Sequence, residues 1–192
     1  MKSFKQHLKE SNREDINIER LASKSGYNIR ASHKTDESFN KFSLGHTGKS
    51  DYGYAGVGFY FTPKGLSGLT YGKNSINVFL KLNNPYKRTL ENWKNGELSP
   101  YLWIINRATE IATSNGKEHA MSPELRTAST QWTNMMQKNG YDGFIDEAMD
   151  NGEIVVFKPE RIKLSDPITY DDDGNEIPLN KRFDETTDDM RY

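Results

Sequence analysis

His33 in SHKT, Tyr60 in GVGFYFT, Tyr71 eleven residues later in GLTYG, and Glu153 at the head of GEIVVF are the side chains whose types and placing could do chemistry. An ionised carboxylate steadies positive charge, aromatic faces attract flat cations, and an imidazole exchanges hydrogen bonds with hydroxyls. Taken singly, each has an ordinary reading: a solvated strand-edge Glu, core Tyr side chains, a surface or capping His. Other chemistries drop out. Without Cys there is no thiol nucleophile, no disulfide scaffold and no thiolate metal site. Neither G-x-S-x-G nor G-x-x-x-x-G-K-[ST] occurs. His7, His46 and His119 are scattered without i, i+4 partners, so no metal site is expected. The run GYAGVG at 53–58 precedes a strand where a dinucleotide loop would follow one, and Asp171, Asp172 and Asp173 before Gly174 read as a solvated turn without the rest of a calcium loop.

The elements that must place these residues follow from periodicity and turn chemistry. Residues 3–21 are loosely helical with a break near Ser11 and Asn12, an arm expected to dock weakly. YNIRA reads as a strand, and TDESFNKF, with Thr35 as N-cap and Phe39 and Phe42 three apart, as a helix after it. FYFT and INVFLKL read as strands, GLSGLTYG as a marginal helix, and NNPY as a turn. From Leu90 to Lys138 the pattern is helical, broken at SNGKEHAMSPE; GYDGFIDE and GEIVVFKP are then two strands joined around AMDNG, and RIKLSDP a last extended piece. The division is an N-terminal arm at 1–24, a domain at 25–168 with a helical insert at about 90–138, and an acidic tail at 169–192 expected to be mobile. Short strands between Gly and Pro turns with one helical insert make the fold class α+β.

The 192 residues hold 26 Lys plus Arg against 27 Asp plus Glu, a net charge of −1 that argues against a basic nucleic-acid coat protein. That balance is a cancellation. Residues 20–90 hold eleven basic and three acidic residues (+8), whereas 91–159 carry −4 and 160–192 carry −5. The start MKSFKQHLKES has no apolar region, and no run approaches the roughly 18–20 apolar residues of a membrane span. No membrane partner is expected, and the expected location is the cytoplasm.

Together, in the order His, Tyr, Tyr, Glu, these residues resemble the H-Y-E class of ADP-ribosyltransferases, which includes diphtheria toxin and the poly(ADP-ribose) polymerases. The chain looks closest to the ADP-ribosyltransferase-like domains of phage polyvalent proteins, over roughly residues 25–165. The motifs that carry this are GVGFYFT with the later Tyr71, NNPY after INVFLKL, YDGFI, and GEIVVFKPERIK. The resemblance implies two small, mostly antiparallel sheets around an NAD cleft, NAD as substrate with no metal, and transfer of ADP-ribose to a macromolecular acceptor, protein or nucleic acid. If the chain is phage-encoded, the cytoplasm is that of a host. By the same resemblance Glu153 faces the ribose, where positive charge develops as nicotinamide leaves. Tyr60 and Tyr71 sandwich the nicotinamide, His33 binds ribose hydroxyls, and the Lys34 backbone holds the carboxamide. Glu147 and Asp150, in the loop before Glu153, are candidates for positioning the acceptor. The +8 segment carries His33, Tyr60 and Tyr71, where a pyrophosphate would sit.

Two departures from the family pattern stand out. Lys34 follows His33 where many members have Gly, and Gly68 stands where a Ser often precedes the second Tyr, with Ser67 beside it. Both favour an alternative, a catalytically inactive NAD-binding or host-interaction module of the same fold. An NAD-using RNA phosphotransferase would need several Arg around a phosphate, and Arg30 with Arg88 do not make that set.

Overall fold

The computed structural model describes residues 4–46, 52–66, 72–95, 99–148 and 152–192. They fall into two compact units: one of residues 1–42, 70–81 and 160–192, the other of 43–69 and 82–159. The fold is α+β.

In the first unit, strand β1 (Ile29–Thr35) pairs antiparallel with β3 (Asn74–Leu80), and β3 with β7 (Ile162–Leu164). Helix α1 (Phe4–Lys24) runs through Ser11 and Asn12 without the expected break. In its C-terminal part Ile18 and Ala22, an i, i+4 apolar pair, are buried with Tyr27, Phe79 and Phe183. The expected helix at 35–42 is absent. Glu37 N–H bonds the Thr35 hydroxyl at 3.0 Å in a local turn, and Phe42 is buried, so side-chain packing outweighs the capping signal. Residues 169–192, whose composition suggests a mobile tail, are packed: Ile177, Phe183 and Met190 are buried. Polar groups hold them too. Lys163 Nζ donates to the carbonyls of Thr187 (2.9 Å) and Asp189 (3.0 Å), and Arg191 pairs with Asp189 and Asp172.

In the second unit, β2 (Phe59–Pro63), β5 (Gly143–Asp146) and β6 (Glu153–Val156) form an antiparallel ladder in the order β5–β6–β2. A fourth strand, β4 (Pro85–Arg88), joins β5 in parallel. The sequence reading missed β4, because its residues PYKR carry no apolar alternation and its partner lies far along the chain. The insert consists of α2 (Leu90–Lys94), α3 (Pro100–Ser114) and α4 (Ser122–Lys138). Ser99 caps α3, accepting from Leu102 N–H at 3.1 Å, with Pro100 in the first turn. Ala108 and Ala128 belong to a buried cluster in which Ile104, Trp132 and Met136 from α3 and α4 meet Phe144 and Val155 of the sheet. The expected helix over GLSGLTYG falls largely outside the described residues.

Candidate active site

Register decides which side chains share a face, since directly opposed residues in neighbouring strands point the same way. Phe144 is opposite Val155, and Val155 opposite Tyr60; Tyr86 is beside Phe144 in the parallel pair. Tyr86, Phe144, Val155 and Tyr60 thus form one row across four strands, packed against the α3–α4 cluster. Two residues along each strand, the next row on that face is Arg88, Asp146 and Glu153. The face changes from apolar to charged in a single step.

In the charged row, Glu153 is half-buried at the head of β6. Its neighbour Asp146 is only 6% exposed. Arg88 answers that buried charge with a two-pronged pair: Nε donates to Oδ1 at 3.1 Å, and the terminal nitrogen to Oδ2. Asp146 Oδ1 also accepts from Ala148 N–H (3.0 Å), and Glu147 N–H donates to the Arg88 carbonyl (2.8 Å), so the chain is held where it leaves β5. The Glu147 carboxylate pairs with Lys87 at 3.1 Å, and Asp150 lies outside the described residues. The sequence reading noted Arg88 only as too little for a phosphate site and passed over Asp146, which reads as an ordinary residue of YDGFIDE until the parallel β4–β5 pairing is known.

The Tyr60 ring is anchored at its far end. Its hydroxyl donates to the Gly56 carbonyl at 2.6 Å and accepts from Ala55 N–H at 3.0 Å. The loop that provides these groups is held by α4, whose Ser129 and Thr133 hydroxyls donate to the carbonyls of Gly53 and Val57, each at 3.0 Å. Gly56 has φ +102°, and a Cβ there would stand 2.5 Å from Thr133 Oγ1. Tyr52, Tyr54 and Tyr101 extend an aromatic array from this loop to α3, with ring centroids 5.1 and 5.6 Å apart.

In the first unit, His33 lies within β1 opposite Ile76, half-buried, with its ring edge-on to Phe42 (5.1 Å) and Phe39 (6.2 Å). The Lys34 side chain is exposed. Tyr71 and Ser67 lie outside the described residues. Gly72, next after Tyr71, has φ +81° and lies so close to Thr35 that a Cβ would come within 2.3 Å of its carbonyl carbon. Only glycine allows that approach. A cavity of about 260 Å³ opens beside this strand pair, lined by Phe39, Asn40, Asn74, Ile76, Asp166 and Met190 among others.

A family model described as ADP-ribosyltransferase in polyvalent proteins matches residues 23–167. The chain belongs to this family. The match covers most of the chain and includes His33, Tyr60, Tyr71 and Glu153. No curated protein and no solved structure matches the chain. For this ADP-ribosyltransferase, Arg88, Asp146 and the α3–α4 insert all lie inside the matched span, whereas the packed segment after Pro167 lies outside it. Among the described residues no group of three or more His, Cys, Asp or Glu is arranged to hold a metal, and no helix is long and apolar enough to cross a membrane.

Proposed function

We propose that this ADP-ribosyltransferase uses NAD and transfers its ADP-ribose to a macromolecular acceptor, breaking the bond between nicotinamide and the anomeric ribose carbon. The observation that carries this reading is the placing of Tyr60 and Glu153 on one face of the β2–β6 ladder, with the Tyr60 ring held by its hydroxyl. NAD supplies an electrophilic anomeric carbon and a leaving group that departs neutral.

Tyr60 offers an aromatic face to the cationic nicotinamide, with Tyr71 as the second face; this attraction weakens as the ring loses its charge, so the pair acts in binding and orientation. The Glu153 carboxylate accepts a ribose hydroxyl and steadies the positive charge that develops on the sugar. His33 exchanges hydrogen bonds with ribose hydroxyls, and the Lys34 backbone holds the carboxamide while its side chain stays in solvent. The acceptor nucleophile forms the new bond from the face opposite nicotinamide and gives up its proton. The loop carrying Glu147 and Asp150 lies next to Glu153 in sequence and is suited to place the acceptor.

The test is to incubate the purified chain with NAD, with and without a cell extract as source of acceptors, and to measure nicotinamide release beside Glu153→Gln. Release that depends on Glu153 supports the reading; equal release from both proteins removes the role of Glu153. NAD binding by calorimetry without any turnover would favour the inactive NAD-binding module.

A further inference from the structure

We propose that Arg88 and Asp146 are positioning residues for Glu153, an assignment that rests on the catalytic role given to Glu153 above. The three side chains stand in one row across β4, β5 and β6, where directly opposed residues have Cβ atoms about 5 Å apart. Asp146 is the most buried of them, and a buried carboxylate persists only when paired and hydrogen-bonded. Arg88 provides that partner through two nitrogens, and its own side chain is 17% exposed.

A structural ion pair at this place would need no particular relation to Glu153. The observed pair has two. It neutralises the carboxylate directly beside Glu153, which would otherwise repel it. It spends the second function of Asp146 Oδ1 on Ala148 N–H, fixing where the chain leaves β5. The pair therefore sets the electrostatic surroundings of Glu153 and holds the chain where it leaves β5.

The test compares wild type with Arg88→Gln, Asp146→Asn and the double variant, each checked for folding by circular dichroism. In Arg88→Gln the Asp146 charge is stranded beside Glu153. The expected result is a fall in kcat for nicotinamide release of about a hundredfold, the scale of a misplaced reacting group, with KM for NAD within threefold. The double variant removes the stranded charge and recovers most of kcat. A merely structural pair would leave kcat unchanged in a folded Arg88→Gln, and that outcome, or a double variant no better than the single, overturns the proposal.

The carboxyl carbon resonance of Glu153, assigned by its loss in Glu153→Gln, provides a readout independent of turnover. It is expected to move in Arg88→Gln and return in the double variant; one position in all three overturns the proposal. If wild type releases no nicotinamide, the functional reading fails while this measurement still decides the positioning role. If Arg88→Gln does not fold, Asp146→Asn decides instead: its unpaired guanidinium should draw the Glu153 carboxylate toward it, moving the resonance and lowering kcat, and no change in either is the overturning result.

Discussion

Tyr60 stands opposite Val155 in the β2–β6 ladder and so shares a face with Glu153, two residues earlier in β6. Two residues of extended chain span about 7 Å, which suits a pyridinium ring at one end and the ribose attached to it at the other. The helices of the insert pack against Phe144 and Val155, Tyr60 is partly buried at the margin of that cluster, and the charged row begins where the cluster ends. An aromatic platform and a carboxylate thus meet at a boundary that burial alone produces.

If the carboxylate must reach a particular ribose atom, its length matters as well as its charge. Glu153→Asp keeps the charge and withdraws it by one methylene, so its kcat should fall between wild type and Glu153→Gln. The Gln variant should lose on the order of a hundredfold or more, as when one group stabilising transition-state charge is removed. Steady-state nicotinamide release on the three proteins measures the order. An Asp variant as slow as Gln would mean position dominates, and a Gln variant as fast as wild type would remove the electrostatic role.

Tyr60→Phe keeps the ring face and deletes the hydroxyl that bridges Gly56 and Ala55. Its thermal or urea stability should drop by about 1–2 kcal/mol, the cost of leaving those backbone groups short of a partner. KM for NAD should rise several-fold because the ring loses its far anchor, whereas kcat should change little. Tyr60→Ala should raise KM much further. Equal KM values for Phe and Ala would show that the face of the ring takes no part in binding.

The strands were legible where they carried dense apolar or aromatic residues: FYFT, INVFL and EIVV all form, and the insert breaks at SNGKEH as its composition suggests. What was not legible depended on partners distant in sequence. PYKR becomes a strand because β5 pairs with it, and that pairing alone brings Arg88 to Asp146. How the charge is distributed in space likewise required the fold. Within the first unit the basic residues of 20–90 meet the acidic tail: Lys41 pairs with Asp188, and Lys81 with Glu185, whose carboxyl this contact holds below the usual range. Sixteen basic and sixteen acidic residues fall in the first unit. At the site, Glu153 could be singled out from its motif, but its neighbours on the face required the register.

Gly56→Ala tests whether the loop behind Tyr60 is as constrained as its geometry implies. The added Cβ meets Thr133 Oγ1 at 2.5 Å and Trp132 Cδ1 at 2.8 Å, on a backbone with φ +102°. Strain at such a position costs about 1–3 kcal/mol before any clash is counted. Urea unfolding should show at least that loss. KM for NAD should rise in parallel, since the displaced carbonyl is the one that accepts from Tyr60. Unchanged stability would mean the loop moves freely, and Tyr60 with it.

The last prediction concerns Lys163, 1% exposed in β7, whose ammonium holds the carbonyls of Thr187 and Asp189. Burial pushes its pKa down to about 8, against the opposing pull of Asp184, Asp189, Asp188 and Glu160. The unfolded chain keeps the ordinary lysine value near 10.5, so between these limits the unfolded state binds the extra proton. Stability should therefore rise with pH from about 8 toward 10, by at most about 1.4 kcal/mol per pH unit for one such group. Tyr27 acts in the opposite sense above pH 10, because burial raises its phenol above the usual value and folding then holds a proton that the unfolded chain has lost. Urea unfolding of wild type and Lys163→Met at pH 7.5, 8.5 and 9.5 isolates the lysine. The wild-type curve should climb relative to the variant across that window, even though the variant is less stable for want of the two carbonyl bonds. Parallel curves would mean that Lys163 stays protonated in the folded chain and that its two carbonyls, with the acids around it, fully offset the cost of burial.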